Sequence, residues 1–170
     1  MRPQDIVILL KLISSKGKGL TNKEMAKELQ ISASEFSEAL ERCKDAKLLD
    51  HTKKIVNTLA LNEFVVHGIK YVFPISPQGI VRGIPTSISA PFLSDKIDAG
   101  KEFYVWSSSK GKIRGEEIKP LYKTVPDASI NDTELYELLI LIDVFRMGRI
   151  REIELAKEIW NKKLEKYNER

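Results

Sequence analysis

Thr86, Ser87 and Ser89 are the nearest this 170-residue sequence comes to a nucleophile cluster. An attacking hydroxyl needs a base beside it and a third group that orients the base. No His-and-carboxylate arrangement accompanies these three. Gly79-x-x-x-Gly83 is not followed by Lys and Ser or Thr, so it is no phosphate loop. No paired carboxylates have a spacing that marks acid–base work. His67 has no partners at metal-ligand spacing and reads as a packed or half-exposed side chain. The lone Cys43 argues against a disulfide scaffold and a zinc site, and reads as a small buried apolar residue. The expectation is a protein without enzymatic activity, metal or cofactor.

Charge is the other chemistry on offer. The sequence is 42% hydrophobic and 31% charged, which describes a folded globular chain. Its net charge of +4 permits a polyanionic partner without demanding one. Residues 1–70 carry 12 basic and 9 acidic side chains, residues 71–126 carry 8 and 5, and residues 127–170 carry 8 and 10. The first two segments are the better places for an anion. Lys16-Gly17-Lys18-Gly19 is a basic connector able to touch a phosphate. Arg146, Arg149 and Arg151 crowd one turn; local pairing with Glu152 and Glu154 is favoured there over an external anion.

The stretch from Leu20 to Leu49 supplies the scaffold. Thr21 and Glu24 form a capping box, and Met25, Ala26 and Leu29 follow at helical spacing. Ile31 sits in a turn. Ser32 and Glu35 form a second box, and Phe36, Ala39, Leu40 and Cys43 then face inward. The outward face is Ser34, Glu35, Ser37, Glu38, Glu41 and Arg42. Leu48–Asp50 and Lys54–Val56 read as two small strands with His51, Thr52 and Lys53 at their tip. An apolar helix over Pro3–Ser14, with its face at Ile6, Leu9, Leu10 and Ile13, precedes the pair.

Residues 3–57, centred on TNKEMAKELQISASEFSEALERCKDAKLLD, resemble the winged helix-turn-helix of bacterial transcription regulators, broadly of the MarR-like type. The resemblance implies a duplex-DNA-binding regulator whose second capped helix enters the major groove. Ser32, Ser34, Glu35, Ser37, Glu38 and Arg42 become groove-side candidates, and Lys53 and Lys54 become phosphate contacts. Gln30 stands where many such turns carry glycine, and Glu35 and Glu38 put negative charge on the reading face. Glutamate can accept from a cytosine amino group but repels phosphate. That acidic face also motivates an alternative: an antitoxin-like or adaptor protein that binds a protein partner.

The rest reads more coarsely. A helix is expected from Leu59 to about Ile69, packing through Leu61, Phe64, Val65 and Gly68, followed by a short strand at Tyr71–Phe73. Four prolines and two glycines break residues 71–93, where Arg82–Thr86 reads as a loop around a buried arginine. Residues 103–107 read as a strand, Ser108–Lys112 as a turn, and Ile113–Tyr122 as holding another strand. Asp132 caps a helix through Arg146, Gly148 breaks it, and a second helix runs from Ile150 to Tyr167. This segment, with 71–93, resembles a pattern of uncharacterised bacterial regulators. The two helices form an antiparallel amphipathic hairpin expected to pack on the body, with a second copy of the chain as the alternative cover. The fold expected is α+β: a winged helix-turn-helix domain over 1–70, then a small β/loop segment with a C-terminal helical hairpin over 71–170. The apolar run at Ile6–Ile13 is broken by Lys11 and too short to span a bilayer, so no membrane association and a cytoplasmic location are expected.

Overall fold

Proline in the first turn starts α1 (Pro3–Ser15), and the Asp5 carboxylate accepts from the Arg2 backbone N–H at 2.7 Å. The computed structural model describes residues 1–94, 96 and 103–169, and α1 lies at the centre of that body. Every residue from Gln4 to Ser15 is buried, so this helix is covered on all sides. Lys11 is buried too, its ammonium paired with the carboxylates of Asp132 and Glu28.

The capped helix pair follows as α2 (Asn22–Glu28) and α3 (Ala33–Asp45). Thr21 Oγ1 accepts from Glu24 N, and the Glu24 carboxylate accepts in return from Thr21 N at 2.7 Å. Gln30 takes φ 55°, the left-handed conformation that glycine adopts most freely. At α3, Ser32 Oγ accepts from Glu35 N at 3.1 Å, which is half of the expected box. The Glu35 carboxylate instead accepts from the Tyr122 hydroxyl, 3.1 Å away. Phe36, Ala39, Leu40 and Cys43 are buried against the core.

The hairpin over 48–57 is smaller than two strands. One bridge joins Leu49 to Val56, flanked by Asp50 N to Ile55 O and Asn57 N to Leu48 O. The Asp50 carboxylate accounts for the short ladder: it accepts from the backbone N–H of Thr52, Lys54 and Ile55. A side chain that captures local amides competes with strand pairing.

A helix then runs further than expected, as α4 (Thr58–Glu63), a π-helical turn (Phe64–Gly68) and α5 (Ile69–Val72). The expected strand at Tyr71–Phe73 is absent, because the buried Leu61, Val65 and Ile69 keep one helical face on the core. Tyr71 sits at that helix end, 73% exposed. Pro74 then biases Phe73 out of helical geometry.

The expected loop at Arg82–Thr86 is a strand as far as Pro85, and its arginine is exposed rather than buried. Strand β1 (Ile80–Pro85) pairs antiparallel with both β2 (Tyr104–Ser107) and β3 (Ile113–Glu117), which pair parallel with each other and close a three-stranded barrel. Glycine permits so small a closure: a Cβ at Gly83 would lie 2.0 Å from the Trp106 carbonyl oxygen, and one at Gly115 would lie 2.4 Å from that of Phe103.

A short helix, α6 (Pro91–Ser94), lies between β1 and β2, and another, α7 (Val125–Ile130), follows β3. Asp132 caps α8 (Thr133–Met147) by accepting from Leu135 N at 3.1 Å. The C-terminal pair is not two amphipathic helices: Leu138 to Arg146 are buried without interruption, so α8 is a central helix. It packs on α1, α5, α7 and the 3-10 turn at Ser87–Ser89. Only α9 (Ile150–Glu169) is amphipathic, with Ala156, Trp160, Leu164 and Tyr167 buried. A single apolar core thus joins α1, α3, Trp106, α8 and Trp160, and the chain is α+β. No helix among the described residues is long and apolar enough to cross a membrane.

Candidate functional site

Helix α3 brings six of the eight expected site residues onto or beside one face. Ser32, Ser34, Ser37 and Glu38 are exposed, and Ser34 Oγ lies 3.5 Å from the Glu38 carboxylate. The acidic residues along this helix are largely answered from within the chain. Glu35 accepts from Tyr122, and Glu38 stands 4.0 Å from Arg42. Glu41 accepts from Lys44 at 2.5 Å and from Lys53; these hydrogen bonds hold its carboxyl down at about 2.

Arg42 does not stand free on that face. Its Nη2 donates to Asp5 Oδ1 at 2.7 Å, and its Nε reaches both Asp5 oxygens at 3.1 Å. This hydrogen bonding raises the guanidinium pKa, and Asp5 is fully buried. The pair ties α3 to the start of α1, so Arg42 is committed to the fold. Lys53 is likewise occupied by Glu41, while Lys54 is exposed beside it.

Next to this helix pair lies a groove of about 680 Å³ that collects Lys16, Lys23, Lys53 and Lys54 from three separated stretches. Leu12, Leu20, Met25 and Ile55 give it apolar walls, and Ile55 is 59% exposed. The buried Ser15 hydroxyl lines it without a hydrogen-bond partner. The loop from α1 reaches the groove through Gly17 and Gly19 at φ 80° and 68°, which only glycine takes without strain. Tyr167, from α9, fixes the rim. Its hydroxyl accepts from Val56 N at 2.9 Å, its carbonyl accepts from Lys16 Nζ at 2.6 Å, and the Lys16 ammonium lies 4.2 Å from its ring centre. Lys23 and Tyr167 escaped the sequence reading, because only long-range packing brings them beside the hairpin.

Two further polar clusters are buried and satisfied. Asp143 accepts from Thr86 Oγ1 at 2.8 Å, Trp106 Nε1 at 2.7 Å and Arg146 Nη1 at 2.8 Å. Arg146 also donates to the carbonyls of Phe73 and Lys119. That arginine therefore binds the chain to itself, through Asp143 and two carbonyls distant in sequence rather than through the Glu152 and Glu154 of the local reading. Arg149 donates its backbone N–H to Glu152, and Arg151 is exposed. In the second cluster, buried Lys11 meets Asp132 at 2.6 Å and Glu28 at 2.5 Å, and Ser14 Oγ donates to Asp132. Burial would raise the Asp132 carboxyl, but the hydrogen bonds from Lys11, Leu135 N and Ser14 and the charge of Lys11 hold it below the ordinary carboxylate value.

His67 is exposed on its helix. Among the described residues no group of three or more His, Cys, Asp or Glu is placed to hold a metal ion. Cys43 is fully buried with its thiol 3.7 Å from the Asp5 carbonyl, and burial pushes that thiol up to about 12. Comparison of the chain with protein-family models, with curated proteins and with solved structures finds no match.

Proposed function

We propose that α2, α3 and the 48–57 hairpin act as a winged helix-turn-helix, and that the chain is a sequence-specific duplex-DNA-binding regulator. The observation that carries this reading is the convergence of Lys16, Lys23, Lys53 and Lys54 on one groove beside the capped helix pair. Cations gathered at a hairpin edge suit phosphates, whose contacts add affinity without sequence information. Sequence is then read by the exposed short hydroxyls of Ser34 and Ser37 with Glu38, side chains able to hydrogen-bond base edges. The partners of Glu35 and Glu41 support the reading too, since both carboxylates are engaged before a polyanion arrives.

Paired substitutions test these roles. Lys23→Glu with Lys54→Glu is expected to weaken binding to every duplex and make it less sensitive to salt. Ser34→Ala with Ser37→Ala is expected to change the order of preference among duplexes. If both pairs lower the affinity for all duplexes alike, the assigned division of labour is wrong.

A second reading has its own observation. The groove's apolar walls and the 59% exposed Ile55 are more than a phosphate contact needs. They suit an acidic protein segment carrying an apolar anchor, the antitoxin-like or adaptor role. Ile55→Ser separates the two: it removes the apolar anchor site and weakens capture of such a partner, while adding no charge to the phosphate contacts and so leaving DNA affinity unchanged.

A further inference from the structure

Two arginines on the three-stranded barrel stand directly opposite one another. The register of β1 on β3 pairs Arg82 with Arg114, and both are exposed. Opposed residues share a face with their Cβ atoms about 5 Å apart, and like charges there destabilise the strand pair. Arg82 is held in place by its Nε, which donates to the Gly111 carbonyl at 2.5 Å. Among the described residues neither guanidinium forms an ion pair with a carboxylate. Lys110 is spent on Asp127, but Lys112, two residues before Arg114, is exposed. Glu116, two residues after Arg114, sets one carboxylate on this face against three cations, and the Arg82 contact with Gly111 leaves the charge of both guanidiniums unneutralised.

The segment that follows this strand touches α3 at one point. Tyr122, whose hydroxyl meets Glu35 on α3, lies eight residues beyond Arg114. Eight residues span at most about 29 Å of extended chain. That is roughly eight base-pair steps along a duplex.

We infer that Arg82 and Arg114 form a second phosphate-backbone contact for the duplex DNA engaged by α3, an inference that rests on the reading proposed above. A phosphate between the two guanidiniums offsets their repulsion. Arginine suits the task because its planar fork matches phosphate oxygens in two parallel hydrogen bonds. The contact adds affinity and orients the protein on the duplex without selecting bases.

Arg82→Gln with Arg114→Gln tests this in the full-length chain. Anisotropy titrations over a range of salt concentrations would use a duplex of about 25 base pairs, beside thermal melts of each variant. The expected result is a Kd raised on the order of tenfold on every sequence, with a plot of log affinity against log salt shallower by about two. The melting temperature should stay near that of the wild type, because relief of the opposed charges offsets loss of the Arg82–Gly111 hydrogen bond. Arg82→Lys with Arg114→Lys should retain the wild-type salt slope. Wild-type affinity and slope in the glutamine pair, alongside a loss in Lys23→Glu with Lys54→Glu, would overturn this inference alone. Weaker binding with an unchanged slope and a lowered melting temperature would also overturn it, as a structural role. Failure of the wild-type chain to bind any duplex at low salt would overturn the DNA reading, and this inference with it.

Discussion

Arg42 shows how a side chain's role follows from what it touches. Its sequence position puts it on the outward edge of α3, yet it holds the fully buried Asp5 with three hydrogen bonds. Removing one partner of such a pair strands the other charge in the core. Arg42→Ala should therefore cost about 3 kcal/mol in urea denaturation, while leaving the order of duplex preference unchanged. Loss of preference without loss of stability would restore Arg42 to the reading face. Cys43, close beside Asp5, should resist alkylation in the native state, since its thiol is buried and raised to about 12. Mass spectrometry after iodoacetamide at pH 8 should find it unmodified until the chain is unfolded. Asp132 sets an acid limit on the fold. Its native carboxyl lies below the ordinary value, so its contribution is complete above an unfolded pKa of about 4 and is lost as pH falls through the native value. Asp132→Asn lowers stability at neutral pH and should flatten the acid limb of a stability–pH profile; an unchanged limb would show that other carboxylates control it.

At the level of elements, legibility followed the range of the forces involved. The caps at Thr21, Ser32 and Asp132 were readable because each hydrogen bond closes within three residues. The buried faces of α2, α3 and α9 were readable from their 3.6-residue period. Arg82–Pro85 was not, because an Arg-Gly-Ile-Pro string has no strand signature of its own. Its partners are Trp106 and Arg114, which no local pattern identifies. Tyr71–Phe73 has the composition of a strand, but Ile69 on the core face carries the helix on to Val72. In the candidate site, Lys53 and Lys54 were legible from the hairpin. The convergence of Lys16 and Lys23, and the rim built by Tyr167, depend on α9 returning to the hairpin more than 100 residues later in the chain. This gives the hairpin a testable dependence. Tyr167→Phe leaves the buried Val56 N–H without its acceptor, at a cost of about 1–2 kcal/mol. Amide exchange should accelerate at Val56 and its neighbours, with exchange in the α8 core unaffected. Uniform acceleration throughout the chain would mean that Tyr167 supports the whole fold instead.

At the level of the whole molecule, helix α8 touches elements from both ends of the chain. Its cap Asp132 meets Lys11 of α1, and its Asp143 and Arg146 hold Thr86, Trp106, Phe73 and Lys119. The helix pair, the hairpin groove and the barrel are therefore positioned by one core. This shared core sets the relation of the α3 face to the lysine groove. That relation is what sequence-specific duplex recognition needs: phosphate contacts set the register in which side chains meet bases. The most direct test is selection by the full chain from a pool of randomised duplexes, followed by sequencing of the retained fraction. The account predicts convergence on a defined motif, which the Ser34→Ala, Ser37→Ala variant alters. A pool that stays random after repeated rounds, at a salt concentration where the chain still retains duplex, would contradict it.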